Sequence, residues 1–204
     1  MKRTWRLPES WKIPFLLIAS TQLILLDYYR NLTPWYYLDR FLLHLVIPIV
    51  FIVFLLRENP SQYGFQLGDW RTGLKIALLS AILIFPAVWL AAHFTPSLSR
   101  YYQPQYHPAA PFQLILDLLG WEFLFRGWLL FGLERQFGRH ALWMQAVPFA
   151  IAHLGKPELE TLTTIFGGYF FGWVAWRTRS YLYPVLIHWC IAVAIILASA
   201  GRLG

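Results

Sequence analysis

The sequence predicts an all-helical membrane protein, a polytopic bundle of about seven transmembrane helices. Hydrophobic residues make up 58% of the 204 residues, and charged residues only 13%. The mean hydropathy is +0.48. A soluble domain of this length carries roughly 25% charged residues, so the composition excludes an ordinary soluble domain.

Apolar segments recur along the whole chain. A transmembrane helix needs roughly 20 mainly apolar residues. The segments that approach this length are 11–29, 41–56, 73–94, 112–133, 139–154, 158–176 and 181–200. The fifth contains Pro148, so we expect it to be kinked or to cross the membrane incompletely. No polar stretch is long enough to fold alone, so we expect residues 1–204 to form a single membrane domain.

Basic residues are distributed unequally between the two sides of the predicted bundle. With seven spans, the side of the N-terminus carries eleven of them: Lys2, Arg3, Arg6, Lys12, Arg57, Arg71, Lys75, Arg135, Arg139, Arg177 and Arg179. The opposite side carries five, Arg30, Arg40, Arg100, Lys156 and Arg202. Because cytoplasmic loops are richer in Lys and Arg, we expect a cytoplasmic N-terminus. The formal net charge of +7 then reflects membrane flanks and not nucleic-acid binding.

Four ionisable side chains lie within the predicted spans or at their ends, where a charge is costly. Glu122 and Arg126 are four residues apart in the fourth span, so they share a helix face and can neutralise each other. His153 ends the fifth span, and His188 lies within the seventh. Intramembrane charges indicate functional sites, so we expect these four side chains to cluster inside the bundle. Taken alone, a buried Glu–Arg pair could serve only to fix helix packing.

A further carboxylate, Glu160, stands at the start of the sixth span, seven residues after His153. The intervening turn can bring a carboxylate at a helix start back over the end of the preceding span. Carboxylates and imidazoles are the usual groups for activating water, with or without zinc. The alternative is that Glu158 and Glu160 are solvated first-turn acids favoured by the helix dipole.

Several other features have a simpler interpretation. We interpret His44, His93, His107 and His140 as interfacial, and Asp117 as a secondary candidate that lies off the Glu122–Arg126 face. Gly167, Gly168 and Gly172 form a small-residue face that favours close helix packing. No cofactor motif is present, although a divalent metal such as zinc could be held by His153 and His188.

The order of these residues resembles the CPBP family, the CAAX-processing and bacteriocin-processing glutamic intramembrane endopeptidases. That family carries Glu-Glu-x-x-x-Arg on one span, Phe-x-x-x-His on the next and His-x-x-x-Asn or Asp on a later one. Here Glu122 and Arg126 match the first motif, Phe149 and His153 match the second, and His188 matches the third.

Two positions depart from the family motifs. Trp121 stands in the place of the first glutamate, which the family uses as a general base, and Ala192 replaces the amide or carboxylate of the third motif. The pattern Trp-Glu-Phe followed by His-x-Gly-Lys-Pro-x-x-Glu looks like a variant in which Glu160 compensates for the missing glutamate. The resemblance then implies that Glu122 or Glu160 activates water and that Arg126 orients Glu122. His153 and His188 would stabilise the oxyanion of the tetrahedral intermediate.

The resemblance covers about residues 112–195, the motif-bearing core. It implies an intramembrane endopeptidase in a prokaryotic plasma membrane, with membrane-associated proteins or peptides as substrates. Two other functions stay open. A non-catalytic scaffold or immunity-type protein is suggested by Trp121 and Ala192, and it predicts a filled, dry site. A small transporter would use the charged groups as a relay, but the sequence has no inverted repeat or paired broken helices.

Overall fold

The structure, a computed structural model, describes residues 7–202. Three basic residues of the charge comparison, Lys2, Arg3 and Arg6, lie outside this range. Helices joined by turns and short loops make up the described part of the chain, in which no strand occurs. The all-helical fold predicted from the sequence is therefore confirmed.

The helices follow one another closely along the chain. They are α1 (Glu9–Tyr29), α2 (Tyr36–Leu56), α3 (Trp70–Phe94), α4 (Pro96–Tyr102), α5 (110–137), α6 (Ala141–Ile151), α7 (Glu158–Thr178) and α8 (Leu182–Ser199). Helix α5 runs without a break through a π-helical stretch at Phe123–Leu129, a geometry that often occurs at functional sites. Each predicted span coincides with one helix, and the short α4 was not expected.

Three of the described helices, α2, α3 and α8, are long and apolar enough to cross a membrane by length and composition alone. The chain is thus an integral membrane protein, although the same criterion does not establish about seven complete spans. Helix α6 has 11 residues, which corresponds to a length of roughly 16 Å. It is too short for a hydrocarbon core of about 30 Å, in keeping with the incomplete crossing expected for 139–154.

Helix α5 lies at the centre of the bundle. Residues 120–133 are all buried, and α1, α2, α6, α7 and α8 all contact this helix. By contrast, most of the apolar surface of α3 is not buried within the protein, so it is available to lipid. Charged residues in the middle of α5 therefore face protein and not the bilayer.

Ion pairs join the chain segments at one end of the bundle. Glu58, which follows α2, lies 2.6 Å from Lys12 of α1 and 2.7 Å from Arg135 of α5. Burial raises the pKa of Glu58, but hydrogen bonds from Lys12, Tyr63 and Arg135 lower it below its usual value overall. Arg179, after α7, pairs with Glu134 near the end of α5 at 2.8 Å. These are segments that the charge distribution assigns to one side of the membrane.

Two of the three glycines in α7 allow this helix to pack closely on α6. A Cβ atom at Gly168 would lie 2.9 Å from the ring of Phe149, and one at Gly172 would lie 2.5 Å from Nε2 of Gln145. Gln145 also donates a hydrogen bond of 2.8 Å to the carbonyl of Gly168. At Gly167 such a Cβ would meet nothing within 4 Å. The small-residue face therefore includes two of the glycines and excludes Gly167.

Gly168→Ala is expected to destabilise the bundle, because the added methyl group would displace Phe149. Overpacking of this kind costs about 1–3 kcal/mol. Gly167→Ala is the matched control, because its added methyl group would enter open space. Alanine is favoured over glycine inside a helix, so this variant is expected to raise stability by up to ~1 kcal/mol. Thermal unfolding of both variants in one detergent tests the difference, and equal effects would contradict the packing described above.

Candidate active site

Glu122 joins α5 to α8 inside the bundle. Its Oε1 lies 2.7 Å from Nδ1 of His188, and its Oε2 lies 3.1 Å from Nε of Arg126. Since a carboxylate accepts, His188 donates through Nδ1. The contact with Arg126 is an ion pair whose angles do not meet hydrogen-bond geometry. Both side chains of this pair are 0% exposed, so the predicted Glu–Arg pair is present and fully buried.

The guanidinium group of Arg126 packs between aromatic rings. Its Cζ lies 3.8 Å from the ring centre of Phe149 and 5.3 Å from that of Phe171. Such cation–π contacts stabilise a desolvated charge by up to roughly 2 kcal/mol. Among residues 7–202, NH1 and NH2 of Arg126 have no hydrogen-bond partner. Because Arg126 is 0% exposed, these donors are buried without a hydrogen-bond partner in that range.

His153 lies against Phe149 in the turn after α6. Its Nδ1 is 2.8 Å from the carbonyl oxygen of Phe149, so this nitrogen donates and Nε2 is not engaged by that bond. The His153 and Phe149 rings are 4.5 Å apart, and the His188 ring lies 6.3 Å from the same phenyl group. Arg126, His153 and His188 thus surround one phenylalanine, and Glu122 contacts both Arg126 and His188. The structure brings together the four residues that the sequence predicted to cluster.

Glu160 is held separately, at the start of α7. Its two carboxylate oxygens accept hydrogen bonds of 2.8 and 2.7 Å from the hydroxyl of Tyr102, and Lys156 lies 2.8 Å from Oε1. Within the described range, no contact joins this carboxylate to Glu122. Glu158 is exposed, whereas Glu160 is partly buried. Only one of the two first-turn acids therefore faces the protein, and its nearest partners are Tyr102 and Lys156.

Glu160→Gln is expected to lower both stability and activity, whereas Glu158→Gln is expected to change neither. Losing the ion pair with Lys156 and weakening the bond from Tyr102 should cost about 1–2 kcal/mol. Tyr102→Phe removes the hydroxyl but keeps the carboxylate, so comparing its turnover and thermal unfolding with those of Glu160→Gln separates chemistry from packing. Full activity in Glu160→Gln would remove this residue from the mechanism.

Trp121 fills the place of the missing first glutamate. The Cζ atom of Arg40 lies 4.1 Å from its ring centre, and Arg40 is itself held by Asp27 and Asp117, each at 3.1 Å. His44, expected at an interface, is instead 0% exposed and lies 4.0 Å from Asp27. The sequence contains no local signal for this second polar cluster, because its members come from three different helices.

The described residues do not favour a zinc site. Among residues 7–202, no three His, Cys, Asp or Glu side chains are arranged to hold a metal ion. Zinc held by His153 and His188 would therefore lack a third protein ligand in that range.

Residues 104–194 match the family model described as "Type II CAAX prenyl endopeptidase Rce1-like". This segment contains Glu122, Arg126, His153, Glu160 and His188, and the match confirms the resemblance inferred from the sequence. No curated protein and no solved structure matches the chain.

Proposed function

We propose, from the premise that residues 104–194 belong to the Rce1-like group of the CPBP family, that this chain is an intramembrane endopeptidase. Its substrates would be membrane-associated proteins or peptides. One observation carries the proposal: Arg126, His153 and His188 lie around Phe149 in the interior of the bundle, and Glu122 contacts both Arg126 and His188.

Glu122 is the carboxylate best placed to activate water. Arg126 places a positive charge 3.1 Å from this carboxylate, and His188, at 2.7 Å, orients it. As the water oxygen attacks the carbonyl carbon of the peptide bond, Glu122 would accept the water proton. Glu160 is the second candidate base, and it would have to exchange a bond to Tyr102 or Lys156 for one to water.

The two histidines would stabilise the oxyanion of the tetrahedral intermediate. Nδ1 of His153 contacts the carbonyl of Phe149, and Nδ1 of His188 contacts Glu122. Nε2 of each ring is thus the atom left for the substrate, and in its protonated form it can donate to the developing oxyanion. The unpartnered NH1 and NH2 of Arg126 would add further positive charge near this point.

We further propose that seven helical segments lie within a prokaryotic plasma membrane, with the N-terminus in the cytoplasm. The ion pairs from Lys12 and Arg135 to Glu58 support this topology. They join three segments of the chain that the proposed topology places on the same side of the membrane. The basic residues concentrated there suit a cytoplasmic face.

A second function, a non-catalytic membrane scaffold or immunity-type protein, is favoured by a different observation. Trp121 is 6% exposed and is covered by Arg40 at the position of the family base. Glu122 is itself fully buried, so the site is closed in this conformation. On this alternative the Glu122–Arg126 pair would serve packing alone.

A proteolysis assay decides between the two functions. The purified chain, reconstituted in liposomes, would be incubated with a library of prenylated tails, leader peptides and sorting signals. Cleavage that is lost in Glu122→Ala and in His153→Ala supports the endopeptidase. A folded wild-type protein that cleaves no member of the library, while binding some of them, would support the scaffold.

A further inference from the structure

A polar groove lies at the end of the bundle where the basic residues collect. It has a volume of about 350 Å³, and its polar lining residues are Ser61, Gln62, Gln66, Glu134, Arg135 and Arg179. The walls are the 60–66 turn, the last turns of α5 and the residue that follows α7. None of the residues assigned above to the endopeptidase site lines this groove.

Two guanidinium groups are held in fixed positions in the groove. Arg135 contacts Glu58 at 2.7 Å and the amide oxygen of Gln62 at 3.1 Å. Arg179 uses NH1 for both oxygens of Glu134, at 2.8 and 2.9 Å. The two arginine side chains are 38% and 49% exposed, so a ligand can reach them. Ordered guanidinium groups of this kind are suited to binding phosphate through two parallel hydrogen bonds.

The backbone at Arg179 has a conformation that is uncommon for arginine. Its φ is 58°, in the left-handed region, and its N–H caps α7 through the carbonyl of Ala175. Glycine is the residue that adopts this conformation without strain. The Cζ atom of Arg179 lies 4.6 Å from the ring centre of Phe131, so a cation–π contact also holds the guanidinium group in place.

Glu134 is the only carboxylate among the lining residues, and its charge is already compensated. Both of its oxygens accept from Arg179, and Oε1 also accepts from Nε1 of Trp176 at 2.8 Å. Ion pairs exposed to water are weak, so a phosphate can compete for the guanidinium group. Within the described contacts, Nε and NH2 of Arg179 are left for such a ligand.

Exposed apolar side chains flank the polar lining. Phe65 and Leu67, on either side of Gln66, are 44% and 67% exposed. We propose that the groove binds the phosphate of an anionic phospholipid headgroup, with Arg135 and Arg179 on the phosphate and the two apolar residues against the acyl chains. The groove lies on the side proposed to be cytoplasmic, where anionic lipids attract basic residues.

Thermal unfolding in mixed micelles tests this site on the full chain. Phosphatidylglycerol added to a neutral detergent is expected to raise Tm by roughly 3–8 °C, whereas phosphatidylcholine at the same mole fraction is expected not to. Arg179→Gly should fold, since it relieves the left-handed backbone, and its affinity for phosphatidylglycerol should fall roughly tenfold. Arg177→Gln is the matched control. The Arg177 side chain is also 49% exposed and also forms an ion pair, with Asp69, but it does not line the groove.

Three results would overturn the lipid site. They are an equal shift with phosphatidylcholine, an equal loss in Arg177→Gln, and an unchanged phosphatidylglycerol response in Arg179→Gly. Inorganic phosphate at the same anion concentration is measured separately. A rise in Tm as large as that with phosphatidylglycerol would assign the groove to free phosphate. Because these experiments measure lipid binding and not cleavage, a negative result would overturn the lipid site without affecting the endopeptidase proposal.

Discussion

Glu122→Gln is expected to lower peptide cleavage by at least roughly a hundredfold, because a positioned general base contributes about 10²–10⁴ in rate. Glutamine keeps the size of the side chain and an acceptor for the Nδ1 hydrogen of His188, but it cannot take a proton from water. Single-turnover kinetics measure the chemical step separately from product release. Thermal unfolding of the same preparation shows whether the variant is folded.

The matched control for this variant is Glu158→Gln, which removes an exposed carboxylate and should leave turnover unchanged. Normal turnover in a folded Glu122→Gln protein would exclude Glu122 as the base and leave Glu160. Loss of turnover in both Glu122→Gln and Glu160→Gln, with Tyr102→Phe active, would assign chemistry to both carboxylates.

Arg126→Ala is expected to lower the free energy of unfolding by about 3–5 kcal/mol, because it leaves Glu122 buried without its cationic partner, while the hydrogen bond from His188 remains. Arg126→Lys should cost less, since it keeps a positive charge near the carboxylate, although the contacts over Phe149 and Phe171 are weakened. Thermal unfolding in detergent and the yield of folded protein measure the difference.

A double variant separates the lost pair from the lost packing. Adding Glu122→Gln to Arg126→Met removes both charges and keeps the volume, so much of the stability is expected to return. Wild-type stability in both Arg126→Ala and Arg126→Lys would show that the pair contributes nothing to folding. A double variant no more stable than Arg126→Ala would assign the loss to the aromatic contacts.

Each predicted span coincides with a helix, because lipid offers no hydrogen-bond partners to backbone N–H and C=O groups. A long apolar segment therefore satisfies these groups within itself, as a helix. The helix α4 was not predicted, since a helix as short as Pro96–Tyr102 has no apolar length signal. The span count depends on how each helix is tilted and buried, which composition does not specify.

The sequence by itself determined that Glu122, Arg126, His153 and His188 belong together, because an intramembrane charge or imidazole needs a partner and the four occur in the order of a known motif. Only the tertiary structure decided what Glu160 and Trp121 contact. Tyr102 lies 58 residues from Glu160, and Arg40 reaches Trp121 from another helix. Contacts of this kind depend on helix rotation and depth, which leave no periodic trace in either segment.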